Sequence, residues 1–359
     1  MNFFDLDTPS LIVDLNILER NVQEMARIVT GNGKKLRPHT KTHKTIEIAK
    51  MQLANGATGL TVAKLGEAEV YADTGFDDIF IANQIVGAIK VERLINLVRR
   101  IKIRAATDSI EATAPIADAA EKSGVTVPLL IEVDTGLGRA GVRSPQEALE
   151  LAQYITSRKR VEFIGVFTHE GQVYGAESKL IGARAAQARL KETCDLLIEN
   201  GIAVQEMSMG STPGAPYLAL EPLPTELRPG TYVFNDRMQV RYGASPESTA
   251  LTVLSTVTSI RSDGRLILDA GSKSLAGDSP FADKTIGEVV GHPELTMVSF
   301  NEEHGYVQIG GQTSLKVGDK VQVIPNHACT CLNMHDNLVA VRGEQVEAVW
   351  KIAGRGKIQ

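Results

Sequence analysis

Over residues 36–234, short β-branched or apolar runs alternate with longer amphipathic ones, and this alternation narrows the fold more than any other property of the chain. The candidate strands fall at 36–40, 59–63, 78–83, 104–108, 128–134, 163–169, 206–210 and 226–234. Helical patterns lie between them. Gly66-Glu67-Ala68-Glu69-Val70-Tyr71-Ala72 is one, and 183–200, stopped by Asn200-Gly201, is another. Eight strands, each followed by a helix, predict a (β/α)8 TIM-like barrel; a doubly wound open sheet is the other architecture this pattern allows. After Tyr242 the period changes. Thr252-Val253-Leu254-Ser255-Thr256-Val257-Thr258-Ser259-Ile260 and Lys320-Val321-Gln322-Val323-Ile324 alternate with period two. Turn signals such as Ser262-Asp263-Gly264 and Val317-Gly318-Asp319 separate such runs, and long helical patterns stop. The expected chain is therefore α/β, with a barrel over 1–242 and a C-terminal β domain over 243–359. The strand-like Ser10-Leu11-Ile12-Val13-Asp14 within 1–15 fits either. A length of 359 residues agrees, at roughly 100–200 residues per domain.

Composition enters mainly through what it excludes. Lys and Arg total 38 against 43 Asp and Glu, a net charge of −5, which gives no global attraction to nucleic acid or to an anionic membrane. No uncharged stretch reaches the roughly 18 apolar residues of a membrane span. Met1-Asn2-Phe3-Phe4-Asp5-Leu6-Asp7 has no basic region followed by an apolar run, and the three cysteines are sparse and odd in number. A cytoplasmic protein is expected.

A barrel places its chemistry at the C-terminal ends of its strands. The first predicted strand ends in Arg37-Pro38-His39-Thr40-Lys41-Thr42-His43-Lys44. Alternation puts His39, Lys41 and His43 on one side, and an amine crowded by cations and partly desolvated meets the condition for a Schiff-base lysine. A solvated basic loop is the bland alternative, made less natural by the position on a barrel strand. The seventh and eighth strands end in Gly210-Ser211-Thr212-Pro213-Gly214 and Arg228-Pro229-Gly230-Thr231-Tyr232. Such small, hydroxyl-bearing loops let backbone N–H groups close on a phosphate. With Lys41 at one end and these loops at the other, the pattern suggests pyridoxal phosphate (PLP). Gly210, Ser211, Thr212, Gly230, Thr231 and Tyr232 are candidate cofactor residues. Arg139, in Asp134-Thr135-Gly136-Leu137-Gly138-Arg139, is a candidate partner of the cofactor's phenolate oxygen. His169 and Glu170, past the sixth strand, either orient a ligand or satisfy a polar rim.

In the second domain, Asn326-His327-Ala328-Cys329-Thr330-Cys331 carries an imidazole and a thiol two residues apart. On a strand the two side chains face the same way and can share a metal, Zn²⁺ being the natural guess for N and S ligands. Two protein ligands leave positions for water or substrate, which suits Lewis-acid catalysis. A buried cysteine beside a structural histidine is the alternative. His335 and Asp336 lie near enough in sequence to support the pair. Cys194 and Trp350 are expected in the core, and Glu302-Glu303-His304-Gly305 is either a solvated turn or part of a domain interface.

These residues resemble the fold-type III PLP enzymes, specifically the D-threonine aldolase and D-serine dehydratase branch with its alanine-racemase-like N-terminal domain. The resemblance runs along nearly the whole chain. It includes Asp7-Thr8-Pro9, the segment from Arg37 to Lys44, the one from Asp134 to Arg139, Gly230-Thr231-Tyr232, Asp269-Ala270-Gly271-Ser272-Lys273, Glu302-Glu303-His304-Gly305 and Pro325-Asn326-His327-Ala328-Cys329. It implies PLP on Lys41, a divalent metal (Zn or Mn) on His327 and Cys329, and a homodimer acting on small D-amino acids. The implied activity is retro-aldol cleavage of a D-3-hydroxy-amino acid to glycine and an aldehyde. The other outcome is dehydration of D-serine or D-3-hydroxyaspartate to a keto acid and ammonia, with Lys41 removing the Cα proton. The family's aldolases pair His-x-Asp on the metal and carry a histidine base in the loop after the sixth strand. Here the metal pair is His-x-Cys, and Thr168-His169-Glu170-Gly171-Gln172-Val173-Tyr174 ends in tyrosine. His169 and Tyr174 are the catalytic candidates there, beside Lys41. Against that dehydratase-like pair, Leu332-Asn333-Met334-His335-Asp336 and the run from Val349 to Gly356 look aldolase-like.

Two further readings belong to other classes. A non-catalytic PLP carrier resembles the barrel alone and leaves the β domain unexplained. A racemase needs a second acid/base on the opposite cofactor face, and no tyrosine of the β domain stands out for that role, Tyr306 being left open.

Overall fold

Every predicted barrel strand forms, and the eight pair in one parallel sheet. The computed structural model describes residues 1–279 and 284–359. They fall into two compact units. One gathers Met1–Gln23, Thr42–Ile48 and Thr231–Gly356; the other gathers Glu24–Lys41, Ala49–Gly230 and Lys357–Gln359. The first strand, β1 (Ser10–Asp14), belongs to the former. The barrel strands β2 (Lys35–Leu36), β3 (Leu60–Val62), β4 (Asp78–Gln84), β5 (Lys102–Thr107), β6 (Val127–Glu132), β7 (Val161–Phe167), β8 (Glu206–Met209) and β9 (Glu226–Leu227) belong to the latter.

The barrel runs β2-β9-β8-β7-β6-β5-β4-β3. It closes where Thr61 N–H donates to the Pro38 carbonyl at 2.9 Å and Thr40 N–H to that of Thr61 at 2.8 Å. Closure removes both sheet edges. The open-sheet alternative is thereby excluded. Between strands lie the expected helices. Pro145–Ser157 starts at Ser144, whose Oγ accepts from Glu147 N–H at 3.2 Å, while the Glu147 carboxylate takes Arg143 N–H at 2.7 Å. Two otherwise orphaned donors are so satisfied. Lys179–Glu199 ends at Asn200, with Gly201 at φ 77°, a conformation glycine adopts without strain.

Period two sorts the barrel interior into layers. At the bottom Arg37 bonds Glu226 and Asp78, each at 2.7 Å, and Arg104 bonds Glu206 at 2.7 Å. Two residues further along β4 and β5, Phe80 and Ala106 pack with Leu130, Ile164 and Phe167, the rings of Phe80 and Phe167 meeting edge-on at 5.0 Å. Two residues past Arg37 and Glu226 come His39 and Arg228, the latter against both rings.

The eighth strand is shorter than expected, ending at Leu227 rather than 234. Pro229 has no N–H to continue the ladder, and Thr231–Val233 turns into a 3-10 helix.

The second sheet comprises β1 with β10 (Leu251–Ile260), β11 (Arg265–Leu268), β12 (Gly287–Val289), β13 (Leu295–Phe300), β14 (Gly305–Ile309), β15 (Lys320–Pro325), β16 (Asn337–Arg342) and β17 (Gln345–Lys351). Here β1 is central, antiparallel to β10 and parallel to β16. Its Ile12 joins Phe3, Leu254, Val339 and Val341 in one apolar cluster. Three sequence motifs interlock beside it. Asp269 accepts the Thr8 hydroxyl at 2.5 Å, the Ser255 hydroxyl at 2.7 Å and Thr256 N–H at 2.8 Å. Lys273 bonds Glu303 at 2.7 Å, so the segment 269–273 is tied to the β13–β14 turn that carries Glu302 to Gly305. Cys194 is buried as expected. Trp350 is not: it is half-buried on β17, an end strand of the sheet paired with β16.

Candidate functional site

At the C-terminal end of the barrel strands, one amine, two imidazoles and two guanidinium groups act on each other. Burial, and then the charges of Lys41, Arg228, His169 and Arg139, push the His39 imidazole well below its ordinary value. Burial, Lys41, Arg139 and Arg228 do the same to His169. Lys41 lies in the turn over 40–43 that follows His39, its N–H donating to His39 Nδ1 at 3.4 Å, so the extended alternation expected of His39, Lys41 and His43 stops at His39. Arg228 is fully enclosed. Its guanidinium donates to Ser208 Oγ at 2.7 Å and to the Thr168 carbonyl at 2.5 Å, and lies 5.1 and 5.5 Å from the ring centres of Phe167 and Phe80. Arg139 is half-exposed and held by Glu132 at 3.2 Å, whose other oxygen accepts from Gln84 at 2.6 Å. A buried guanidinium, a half-exposed one and two neutral imidazoles around a lysine fit an anionic, amine-reactive ligand, and so fit PLP.

The loop after β8 is held by a side chain from the end of the neighbouring strand. Glu170 is buried, and its carboxylate accepts Gly210 N–H at 3.0 Å and Ser211 N–H more closely still. Two amides expected to face a phosphate thus face a side chain of the protein itself. Gly214 completes the contact, since a Cβ there would lie 2.8 Å from Glu170 Oε1. Thr212 is buried and Gly230 half-buried in the same unit. Tyr174 sits half-buried in the 3-10 turn Gly171–Gly175, its carbonyl taking Lys179 Nζ at 2.7 Å.

The other unit holds the imidazole–thiol pair, along with Thr231 and Tyr232. His327 and Cys329 do not lie on a strand as expected. β15 ends at Pro325, His327 is the last extended residue, and Ala328–Leu332 closes into a short helix. The pair still meets: the His327 ring hydrogen-bonds Cys329 and is raised to about 9, against its burial, by that contact and by Cys329, Asp236 and Asp278. Cys329 Sγ lies 3.3 Å from Thr42 Oγ1 and 3.8 Å from Thr231 Oγ1. Asp236, fully buried, accepts Gln239 N–H and Ala328 N–H, both at 2.8 Å, and so pins the residue between the two ligand candidates. An adjacent N and S donor fit a borderline-soft divalent cation. Among the described residues no group of three His, Cys, Asp or Glu side chains could hold a metal.

Sequence reasoning placed Lys41, His169 and Arg139 together with the cationic cluster but gave Arg228 no role beyond its loop. An arginine of interior parity on a barrel strand was the available signal. His335 and Asp336 support other contacts: His335 Nε2 meets the Ser274 carbonyl at 2.9 Å, and Asp336 pairs with Arg355 at 2.6 Å.

Residues 13–238 match the alanine racemase N-terminal domain and residues 250–341 a serine dehydratase domain. D-threonine aldolase of an Arthrobacter species is 35% identical over 98% of this chain and 93% of its own. The crystal structure of D-threonine aldolase from Filomicrobium marinum superposes with a TM-score of 0.93 at 28% identity, covering 100% of this chain and 98% of that one. D-threo-3-hydroxyaspartate dehydratase of Delftia sp. HT23 gives 0.90 at 29% identity over 98% of both chains. That dehydratase has also been solved as a cysteine-to-alanine mutant in a metal-free form.

Proposed function

Because the chain belongs to the family that joins an alanine racemase N-terminal domain to a serine dehydratase domain, we propose that it is a PLP- and divalent-metal-dependent lyase cleaving D-3-hydroxy-amino acids to glycine and an aldehyde. The observation that carries the retro-aldol reading is the 35% identity to a D-threonine aldolase along almost the whole chain. The His327-Ala328-Cys329 pair favours a second reading, dehydration, since a cysteine is named in the metal-free form of the related dehydratase.

When bound, PLP supplies an electron sink for the α-carbon, and a divalent ion supplies a Lewis acid for the β-hydroxyl. The residues of this chain do the rest. Lys41 carries the cofactor through its amine. Arg228 and Arg139 offer fixed positive charge to the cofactor's anionic groups, and Glu170 holds the loop bearing Ser211 and Thr212 in shape. His327 and Cys329 hold the metal. For cleavage a proton leaves the β-hydroxyl, and the neutral imidazole of His169 is the acceptor. An anion seated among the cations moves that imidazole back toward its ordinary value, nearer the range a general base needs. Tyr174 occupies the place of the aldolase-type histidine and orients substrate through its hydroxyl. For dehydration Lys41 instead removes the Cα proton. A homodimer working in the cytoplasm completes this reading.

Product analysis decides it. Protein reconstituted with PLP and Zn²⁺ or Mn²⁺ is expected to convert D-threonine to glycine and acetaldehyde, and its Lys41→Ala variant to be inactive. A keto acid and ammonia would establish the dehydratase instead. No turnover of D-threonine, D-serine or D-3-hydroxyaspartate would leave a PLP carrier.

A further inference from the structure

Asp278 lies 49 residues before His327, outside every motif of the sequence, yet its Oδ2 sits 3.2 Å from His327 Nδ1. The carboxylate is itself held. The Thr330 hydroxyl donates to the same oxygen in a short hydrogen bond, and the Asp278 carbonyl accepts from Asn326 Nδ2 at 2.9 Å. Asn326 is buried, donates also to the Thr285 carbonyl at 2.8 Å, and accepts from Arg237 Nη1 at 2.6 Å. Asp278 is thus fixed through both backbone and side chain to residues on either side of His327. The ring is held by Asp278 on Nδ1 and also hydrogen-bonds the Cys329 side chain.

A histidine ligand binds well when its second nitrogen donates to a carboxylate, which fixes the tautomer and strengthens the coordinating lone pair. With two protein ligands proposed, the orientation of the ring depends on such a partner. We infer that Asp278 is the positioning residue of the metal pair: it takes the Nδ1 proton of His327 in a hydrogen bond and thereby directs Nε2, beside the Cys329 thiolate, toward the cation. This rests on the proposed metal site and adds to it a residue that does not touch the metal.

Cobalt(II) titration of the full-length protein tests it, following the thiolate-to-cobalt absorbance and measuring affinity by competition with a chelator. Asp278→Ala is expected to bind Co²⁺ about 10–100-fold more weakly while keeping the thiolate band and the absorbance of bound PLP. Asp278→Asn, whose amide oxygen can still accept from Nδ1–H, should fall between the two. If the alanine variant fails to fold, a threefold or greater weakening in the asparagine variant carries the result. Affinities within threefold of the parent in every folded variant would overturn the inference and leave the metal site standing. A parent protein with no thiolate band, matched by Cys329→Ala, would remove the metal site and the role of Asp278 together.

Discussion

Two imidazoles face the same three cations, and both are kept uncharged in the fold. For His39 and His169, burial first and Lys41, Arg228 and Arg139 after it hold the folded value below the unfolded one. Once the pH drops below about 6.5, the unfolded chain binds protons that the folded chain refuses. Their contribution is therefore fully present above that pH and is lost as the pH falls toward the folded values, at up to about 1.4 kcal/mol per pH unit for each group. The thermal midpoint of cofactor-free protein should fall between about pH 7.5 and about pH 5.5. A His39→Asn/His169→Asn double variant should fall less steeply; parallel slopes would show that these imidazoles do not set the acid limit. At this scale the sequence was most informative just past the predicted strands, where Lys41, Arg139 and His169 declared themselves by position. Asp278 could not be found that way, because what makes it matter is a hydrogen bond formed across 49 residues of chain.

Among the elements, the end of β7 and the loop after β8 are coupled by one buried side chain. Glu170 answers two consecutive backbone N–H groups, and Glu170→Ala orphans both. Each buried donor left without a partner costs about 1–3 kcal/mol, so the variant should lose about 2–6 kcal/mol in urea denaturation and bind PLP more weakly. An unchanged midpoint would mean that water or another acceptor replaces the carboxylate. The same loop shows what period and composition do not carry. A Gly/Ser/Thr loop after a late barrel strand invites a phosphate, and the carboxylate from the neighbouring strand end that accepts Gly210 N–H and Ser211 N–H is set by the fold alone. The extended reading of His327 and Cys329 failed for a related reason. The bond from Ala328 N–H to Asp236 and the first helical turn bring imidazole and thiol together by a route that period two does not describe.

For the molecule as a whole, the barrel and the separate β sheet were legible because their two periods differ and each persists over many residues. The layering inside the barrel was not legible, since a charged bottom layer breaks the apolar pattern that marks a core. Arg37 and Glu226 are both fully buried there and 2.7 Å apart. Arg37→Met leaves that carboxylate with the Ser208 hydroxyl and Arg104 at 3.6 Å. Breaking a buried pair in this way costs about 3–5 kcal/mol, and an Arg37→Met/Glu226→Leu double variant should recover much of it in the same denaturation assay. A single variant as stable as the parent would show that Arg104 alone neutralises the layer. The central strand of the other sheet carries a different consequence. β1 is synthesised well before both of its partners, which begin only at Leu251 and Asn337. At roughly 5–20 residues per second on the ribosome, Ser10-Leu11-Ile12-Val13-Asp14 stays without either neighbour for on the order of ten seconds or more. During that interval an apolar strand with two open edges is a site for chaperone capture or aggregation, and a chimera that replaces only the C-terminal sheet inherits a centre strand from the other parent.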